Sequence, residues 1–542
     1  MYYSETEKIN MKLLADRISI DSMIIQDLID ADINSDFKKR VRDGENYYHG
    51  KHDYLDHKNY YHSESGKAIE MQNRANNLIA VQFFTLSNDQ KIERIMGKNV
   101  TITVNEPEVI NKKKPTPEEE KLIAQADEFQ KVITTELNAR FQNTLRLLLH
   151  GATNKAVEWL HYYVDPQGNF RYVITSALGI IPIYDMQYED KLLCIIRYYR
   201  YPFMNPDTKR QSMLYKLEKW TDNEVTYWEQ QEDLTWAYDF SYEINPAPHW
   251  VDENKTLGKT EKHGFGRVPF VPVYNNAQMT TDLQAIKALI DAYDSVISGW
   301  VNDLEDIKQL ILILKGYEGL MKEGKDVVYD LEQYLKSLYS IGAITVKEGG
   351  DVTNLKNDIP IEARREALTL LRERIFEIGR MSDTKNLIGG NMTNVGIQAN
   401  ESGIMAKCNA MLSLAQESLE QMMWFHVFWI NKKYKKNYDY KQIKFTFNIT
   451  QPFNEVEYMT ILNATLTTGK LSEQTYLEKS TFVDNADEEM ARLEAERERK
   501  IEQGAGSLDK YISEDENGDQ GNANSDENVQ ENENQQNNEQ RK

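Results

Sequence analysis

Residues 281–315 read TDLQAIKALIDAYDSVISGWVNDLEDIKQLILILK. Within them Ile290, Tyr293, Ile297, Trp300, Leu304, Ile307, Ile311 and Leu314 recur in alternating steps of three and four, the spacing that lines one face of a helix. The reading is one long helix with a single apolar seam, closing at Lys315-Gly316, where a cation and a glycine suit a C-terminus. Asp291, Asp294, Asp303, Glu305 and Asp306 fall off the seam, so the opposite face reads as acidic and wet. A lone seam of this kind also suits a member of an ordinary bundle, and its neighbours must decide.

Downstream, 316–360 is a mixed segment carrying GAITV and the Gly349-Gly350 turn, and a second seamed helix, 361–381, starts behind Pro360. Leu368, Leu371, Ile375 and Ile378 form its seam; Arg364, Arg365, Arg372, Arg374 and Arg380 alternate with Glu366, Glu373 and Glu377 on the rest, which suits lateral salt bridges. Two seamed helices therefore bracket a small insert. The stretch SDTKNLIGGNMTNVGIQANE that follows is rich in Gly, Asn and Thr and too long for an ordinary connection, a property of functional or disordered loops. A third, mostly buried helix is expected over about 403–431, then the strand KFTFNIT and two or three more helices. From 504 onward almost no apolar residue occurs, so a disordered acidic tail is expected.

Upstream, 161–274 consists of short aromatic and β-branched runs separated by turn residues, with Asp165-Pro166-Gln167-Gly168 as a hairpin turn. That predicts an antiparallel β-rich domain. A helix is expected over Glu119–Leu160, and a helix from Asn73 to Gly97 turning into a strand over Val100–Val104. His49, His52, His57 and His62 punctuate a stretch of Tyr, Asp, Gly and Asn whose spacing fits no metal site; it reads as a polar loop. Residues 4–47 read as N-terminal helices. The fold class is α+β, mainly helical.

Composition bounds the function. At roughly 100 to 200 residues per domain, 542 residues allow three to five compact units. No apolar run approaches the about 20 residues a membrane helix needs, and the N-terminus lacks the pattern of a secretion signal, so no membrane partner and a cytoplasmic site of synthesis are expected. Cys194 and Cys408 form no Cys-x-x-Cys pair. Gly97-Lys98 leads into a strand and lacks the hydroxyl residue of a phosphate loop, and Gly264-Phe265-Gly266 lacks the third glycine of a dinucleotide fingerprint. No catalytic motif, cofactor or metal is read. A net charge of −22 argues against grasping DNA by phosphate neutralisation and suits a surface that repels a duplex.

The order of these pieces resembles the portal proteins of siphophages infecting Gram-positive bacteria, over about residues 37–500. The resemblance rests on YYHGKH, IMGKNVTI and HGATNKAVEWL, and above all on the run GRVPFVPVYNN, the helix from Asp282, the insert, the second helix, the Gly-Asn loop, ESGIMAKCNAMLSLA and LTTGKLSEQTYLEK. It implies a ring of about twelve subunits, with N-terminal helices and a β-rich wing in 1–280. The stem helices would be 281–315 and 361–381, the clip 316–360, the tunnel loop 382–400, the long wing helix and strand 401–452 and the helical crown 453–503, before the tail 504–542. The stem seam would be Ile297, Trp300, Leu304, Ile307, Ile311, Leu368, Leu371 and Ile375. The tunnel loop would offer Lys385, Asn386, Asn391, Thr393, Asn394 and Gln398 to passing double-stranded DNA without reading its sequence. The partners implied are the terminase large subunit, a head-completion or adaptor protein, and major capsid and scaffold proteins, with assembly in the host cytoplasm into the portal vertex of the virion. The chain departs from the family in having Met381-Ser382-Asp383 where a proline often follows the second stem helix. The alternative is another structural virion or scaffold protein without a DNA channel.

Overall fold

The computed structural model describes residues 4–499 apart from 19–20, 59, 63–67, 71–74, 106–115, 189–190, 205–208, 210, 255–258, 307–311, 316–350, 355–359, 384, 386–392, 450–451, 453 and 484. The N-terminal helices are α1 (Glu5–Arg17), α2 (Ile24–Ile33) and α3 (Asp36–Tyr48), the first and third capped by Ser4 and Ser35. They lie on a six-stranded antiparallel sheet made from Ile180–Tyr184, Leu192–Met204, Gln211–Trp220, Glu224–Gln230, Trp236–Tyr238 and Ala247–Pro248. Met11, Ile25, Leu28 and Phe37 meet Ile181, Ile195, Leu217 and Trp228 in that core.

A second core surrounds a three-stranded sheet in which Val157–Val164 is central, between Phe270–Tyr274 and Phe170–Thr175. The hairpin turn falls at 165–168 as expected; Gly168 takes a φ of 79°, which only glycine adopts without strain. Against this sheet pack α5 (Pro117–Glu136) and α6 (Ala139–Lys155), preceded in the chain by α4 (Phe83–Met96). The single helix expected over Glu119–Leu160 is therefore two helices and the start of a strand. Asn138 breaks it, its side chain accepting the Arg140 N–H to cap α6. Residues 75–82, expected in a helix, form neither helix nor strand.

The first seamed helix also differs from expectation. After a short 3-10 turn at Asp282–Ala285, α7 covers Lys287–Asp306, and Leu312–Lys315 is not helical but a strand paired antiparallel with Asp351–Asn354. A short continuous apolar run fits helix or strand by periodicity alone, and here the pairing partner decides. α8 spans Ile361–Ile378. α9 runs from Asn394 to Tyr434, beginning inside the segment expected as loop because Ile397 and Ile404 continue the buried apolar side of the same helix. Ile443–Thr446 pairs with Thr101–Val104. Residues 1–391 with 395–452 form one compact unit, and 392–394 with 453–542 a second. In the second unit α10 (Glu455–Thr467) and α11 (Glu473–Lys479) are followed by α12 over 486–499, and Arg497 reaches Glu473 at 2.6 and 2.7 Å. The expected clip, apart from 351–354 and Pro360, and the acidic tail lie outside the described residues.

Candidate functional site

The two seamed helices pack against each other. Near the body of the unit Ile290 and Ile375 are buried with Phe84, Ile286 and Met381 in a small third core. Further along, Ile297, Trp300, Leu368 and Leu371 are half-buried, and Leu304 is 49% exposed. Ile307 and Ile311 lie outside the described residues. The seam is thus covered at Ile290 and Ile375 and open at Leu304, while Ile378, expected on the seam at the foot of α8, is 47% exposed.

The face expected to be wet is covered in part: Glu305 is exposed and Asp291 and Asp303 are partly so, but Asp294 is buried. Asp294, Ser298 and Asn302 sit at steps of four along α7 and accept the backbone N–H groups of Val81, Ile79 and Asn77 at 2.9, 2.9 and 2.6 Å. Four residues of helix rise about 6 Å and two residues of extended chain about 6.6 Å, so the two repeats match and the segment lies along the helix. Asp294 is fully buried; its other oxygen meets His52 Nδ1 at 2.5 Å, and His52 stacks on Tyr47. Asp303 pairs with Arg364 of α8. Asp294 and Asp303 thus bond within the chain, Asp303 while its side chain is still 39% exposed.

Both helices enter and leave the body through one polar cluster that sequence reading missed. Asp282, just before α7, lies 2.9 Å from Lys407 Nζ and 3.5 Å from Lys91 Nζ, and takes an N–H from Asn275 at 3.0 Å. Burial alone would raise the Asp282 carboxyl, but the two ammonium groups outweigh it and hold it well below the usual carboxylate range. Burial likewise pushes the Lys91 ammonium down, against the pull of Asp282. At the exit, α8 stops where Arg380 takes a φ of 49° and the Met381 N–H reaches back to Phe376 O at 3.0 Å, a left-handed cap. Lys407 donates to Gly379 O at 2.8 Å. Ser382 is clasped by Gln90 through both its backbone groups, at 3.0 and 3.1 Å, and its hydroxyl reaches the fully buried Glu401, which also accepts Arg94 Nε at 2.9 Å. Arg372 grips Asp383 with two bonds of 3.0 and 2.8 Å, which hold the Asp383 carboxyl below its ordinary range.

Of the residues expected on the loop, Lys385 is exposed, its N–H bonded to Asp383 Oδ1 at 3.1 Å, and Thr393 is exposed. Asn386 and Asn391 lie outside the described residues. Asn394 and Gln398 are helical, contrary to expectation: Gln398 is exposed on α9, and Asn394 bonds the Asn454 backbone and the Glu457 carboxylate within the second unit. The structure does not gather these residues into one described surface.

Residues 28–503 match the family described as Phage portal protein, SPP1 Gp6-like, and the chain belongs to that family. Among its relatives, the portal protein of Bacillus phage SPP1 is 26% identical over 523 residues, covering 95% of this chain and 94% of that one. The portal protein of Clostridium phage phiCD119 is 26% identical over 496 residues, covering 88% and 96%. Among solved structures, a chain in the neck of a native GTA particle, computed with C12 symmetry, gives a TM-score of 0.35 at 12% identity over 73% of this chain and 88% of that one.

Proposed function

We propose that copies of this chain close into a ring at one vertex of a phage capsid, forming the channel through which the terminase motor packages DNA and through which DNA later leaves. The match over residues 28–503 carries this reading, because it takes in α7, the insert, α8 and the loop that follows as one ordered run. A ring repeats one heterologous contact until it closes, and a helical pair whose seam is open at Leu304 suits a contact of that kind. In this reading α7 and α8 are the stem, the insert the clip, 157–274 with α9 the wing, and α10 to α12 the crown. Lys385, Asn386, Asn391 and Thr393 face the channel, and Asn394 and Gln398 stand at the start of the helix behind it. The clip takes the terminase large subunit during packaging and a head-completion or adaptor protein afterwards, while major capsid and scaffold proteins surround the ring. The role is structural, with the motor chemistry supplied by the terminase.

The test is the mass and symmetry of the purified chain, by native mass spectrometry and negative-stain electron microscopy, alone and co-expressed with capsid and scaffold protein. Rings of about twelve or thirteen subunits with an axial hole are expected. A monomer under both conditions would overturn the reading in favour of a structural protein without a channel.

A further inference from the structure

The path from Asp282 out along α7, through the insert and back along α8 to Ser382 leaves and rejoins the body at two points. Beside the apolar core they share, one polar side chain of α9 touches both. Lys407, in the middle of α9, lies 2.9 Å from Asp282 at the entry and donates 2.8 Å to Gly379 O at the exit, with Ser87 Oγ at 3.4 Å. An apolar side chain here would fill the same volume but leave a last-turn carbonyl of α8 without a donor and Asp282 short of a cation. α9 passes close to the exit elsewhere too: a Cβ on Gly403 would come within 3.2 Å of Arg380 Cβ. Glu401, six residues before Lys407, takes Arg94 and Ser382, and Asn400 donates to the Ser382 hydroxyl at 3.2 Å, so the exit is fastened to α9 at three side chains and the entry through the same lysine.

We propose that Lys407 is a positioning residue that ties the feet of α7 and α8 to each other through α9. The pair then moves as one lever, and the loop beyond Asp383 starts from a point set by both helices. Asp282 keeps Lys91 and Asn275 when Lys407 is removed, and Ile286, Ile290, Ile375 and Met381 keep their shared apolar core, so the body holds while the polar link between the feet through α9 is lost. The inference rests on α7 and α8 being the channel's helical wall only for its consequence in the ring; the tie is a property of the single chain.

Hydrogen exchange on the full-length chain tests it. Lys407→Met should raise amide exchange about tenfold in the peptides covering both 286–292 and 376–383, the effect of losing one charge-assisted bond at each foot, while strand 157–164 stays protected. Lys407→Arg, which keeps a charged donor, should stay near the wild type. If Lys407→Met does not fold, Lys407→Gln, which keeps a donor but no charge, should loosen the entry more than the exit. Acceleration of one foot alone with Lys407→Met, of neither, or of the whole chain overturns the tie, as does equal loosening by Lys407→Gln. Ring formation is measured separately: rings with uncoupled feet would sink this inference alone, and coupled feet in a chain that never forms rings would sink only the portal reading.

Discussion

Arg372 holds Asp383 with both arms of its guanidinium, and the two side chains are 21% and 16% exposed. The same guanidinium lies over the Phe376 ring at 4.2 Å, so its removal loses packing as well as charge. Arg372→Gln should lower stability by about 1 to 2 kcal/mol at neutral pH, the range for bonds to charged groups discounted for partial exposure. The pH dependence has a definite sign. The Asp383 carboxyl is lower in the folded chain than in the unfolded one. Its contribution is therefore complete above the unfolded value of about 4 and is lost as pH falls through the folded value. Urea unfolding of wild type and variant at pH 7 and pH 3 should show the gap narrowing at the lower pH to the part that belongs to Phe376. An unchanged gap would mean the fork contributes packing alone. At this scale the sequence was only partly legible. Ile375 was identified as a core residue and is buried, since periodicity reports burial. Nothing marked His52 out from three neighbouring histidines, because its partner Asp294 is 242 residues away in the chain and long-range pairing leaves no period.

Elements were legible where a turn or a periodic face stood in the sequence. The hairpin at Gly168 falls where its turn residues are, whereas the Thr116 and Glu119 capping box that starts α5 at Pro117 was not read and the helix was expected only from Glu119. Legibility failed where two signals competed. Asn138 reads equally as a helix residue or a cap, and the Leu312–Lys315 run as helix or strand, until a neighbour takes one side. The acidic face of α7 looked wet because a helical wheel shows which side a carboxylate is on and not what lies against it. Residues 75–82 lie against it, and their course follows from that ladder rather than from their own propensity. The end of α8 shows the same limit. Arg380 holds a left-handed conformation that strains any residue with a Cβ, at a cost of about 1 to 2 kcal/mol. Arg380→Gly removes that strain and some unfolded-state restriction with it, so the chain should gain about 0.5 to 1 kcal/mol. Its rise in denaturation midpoint should come without a change in slope. A loss of stability would show that the Arg380 side chain contributes more than its backbone costs.

For the whole molecule, the family was readable from sequence because the order of motifs runs along most of the chain, and the family match covers residues 28–503. Which loop residues face DNA was not, since a channel wall is made by repeated copies and a single sequence holds no record of its neighbours. Charge does bear on it. The chain carries −22, and residues 504–542 hold ten of its acids and three of its bases, so truncation before 504 leaves −15. A protein that grips a duplex by neutralising phosphates loses affinity steeply with salt. A ring of copies each at −15 should instead repel a duplex at every salt, more so as salt falls and screening weakens. Purified rings, full-length and truncated before 504, should therefore leave linear double-stranded DNA unshifted on a gel at about 50 and about 150 mM salt, with the duplex free to slide in the channel rather than bound to it. Retention by both, steepest at low salt, would place a cationic surface on the wall and overturn the repelling-channel reading. Retention by the truncated ring alone would mean that the tail, and not the wall, keeps DNA from sticking.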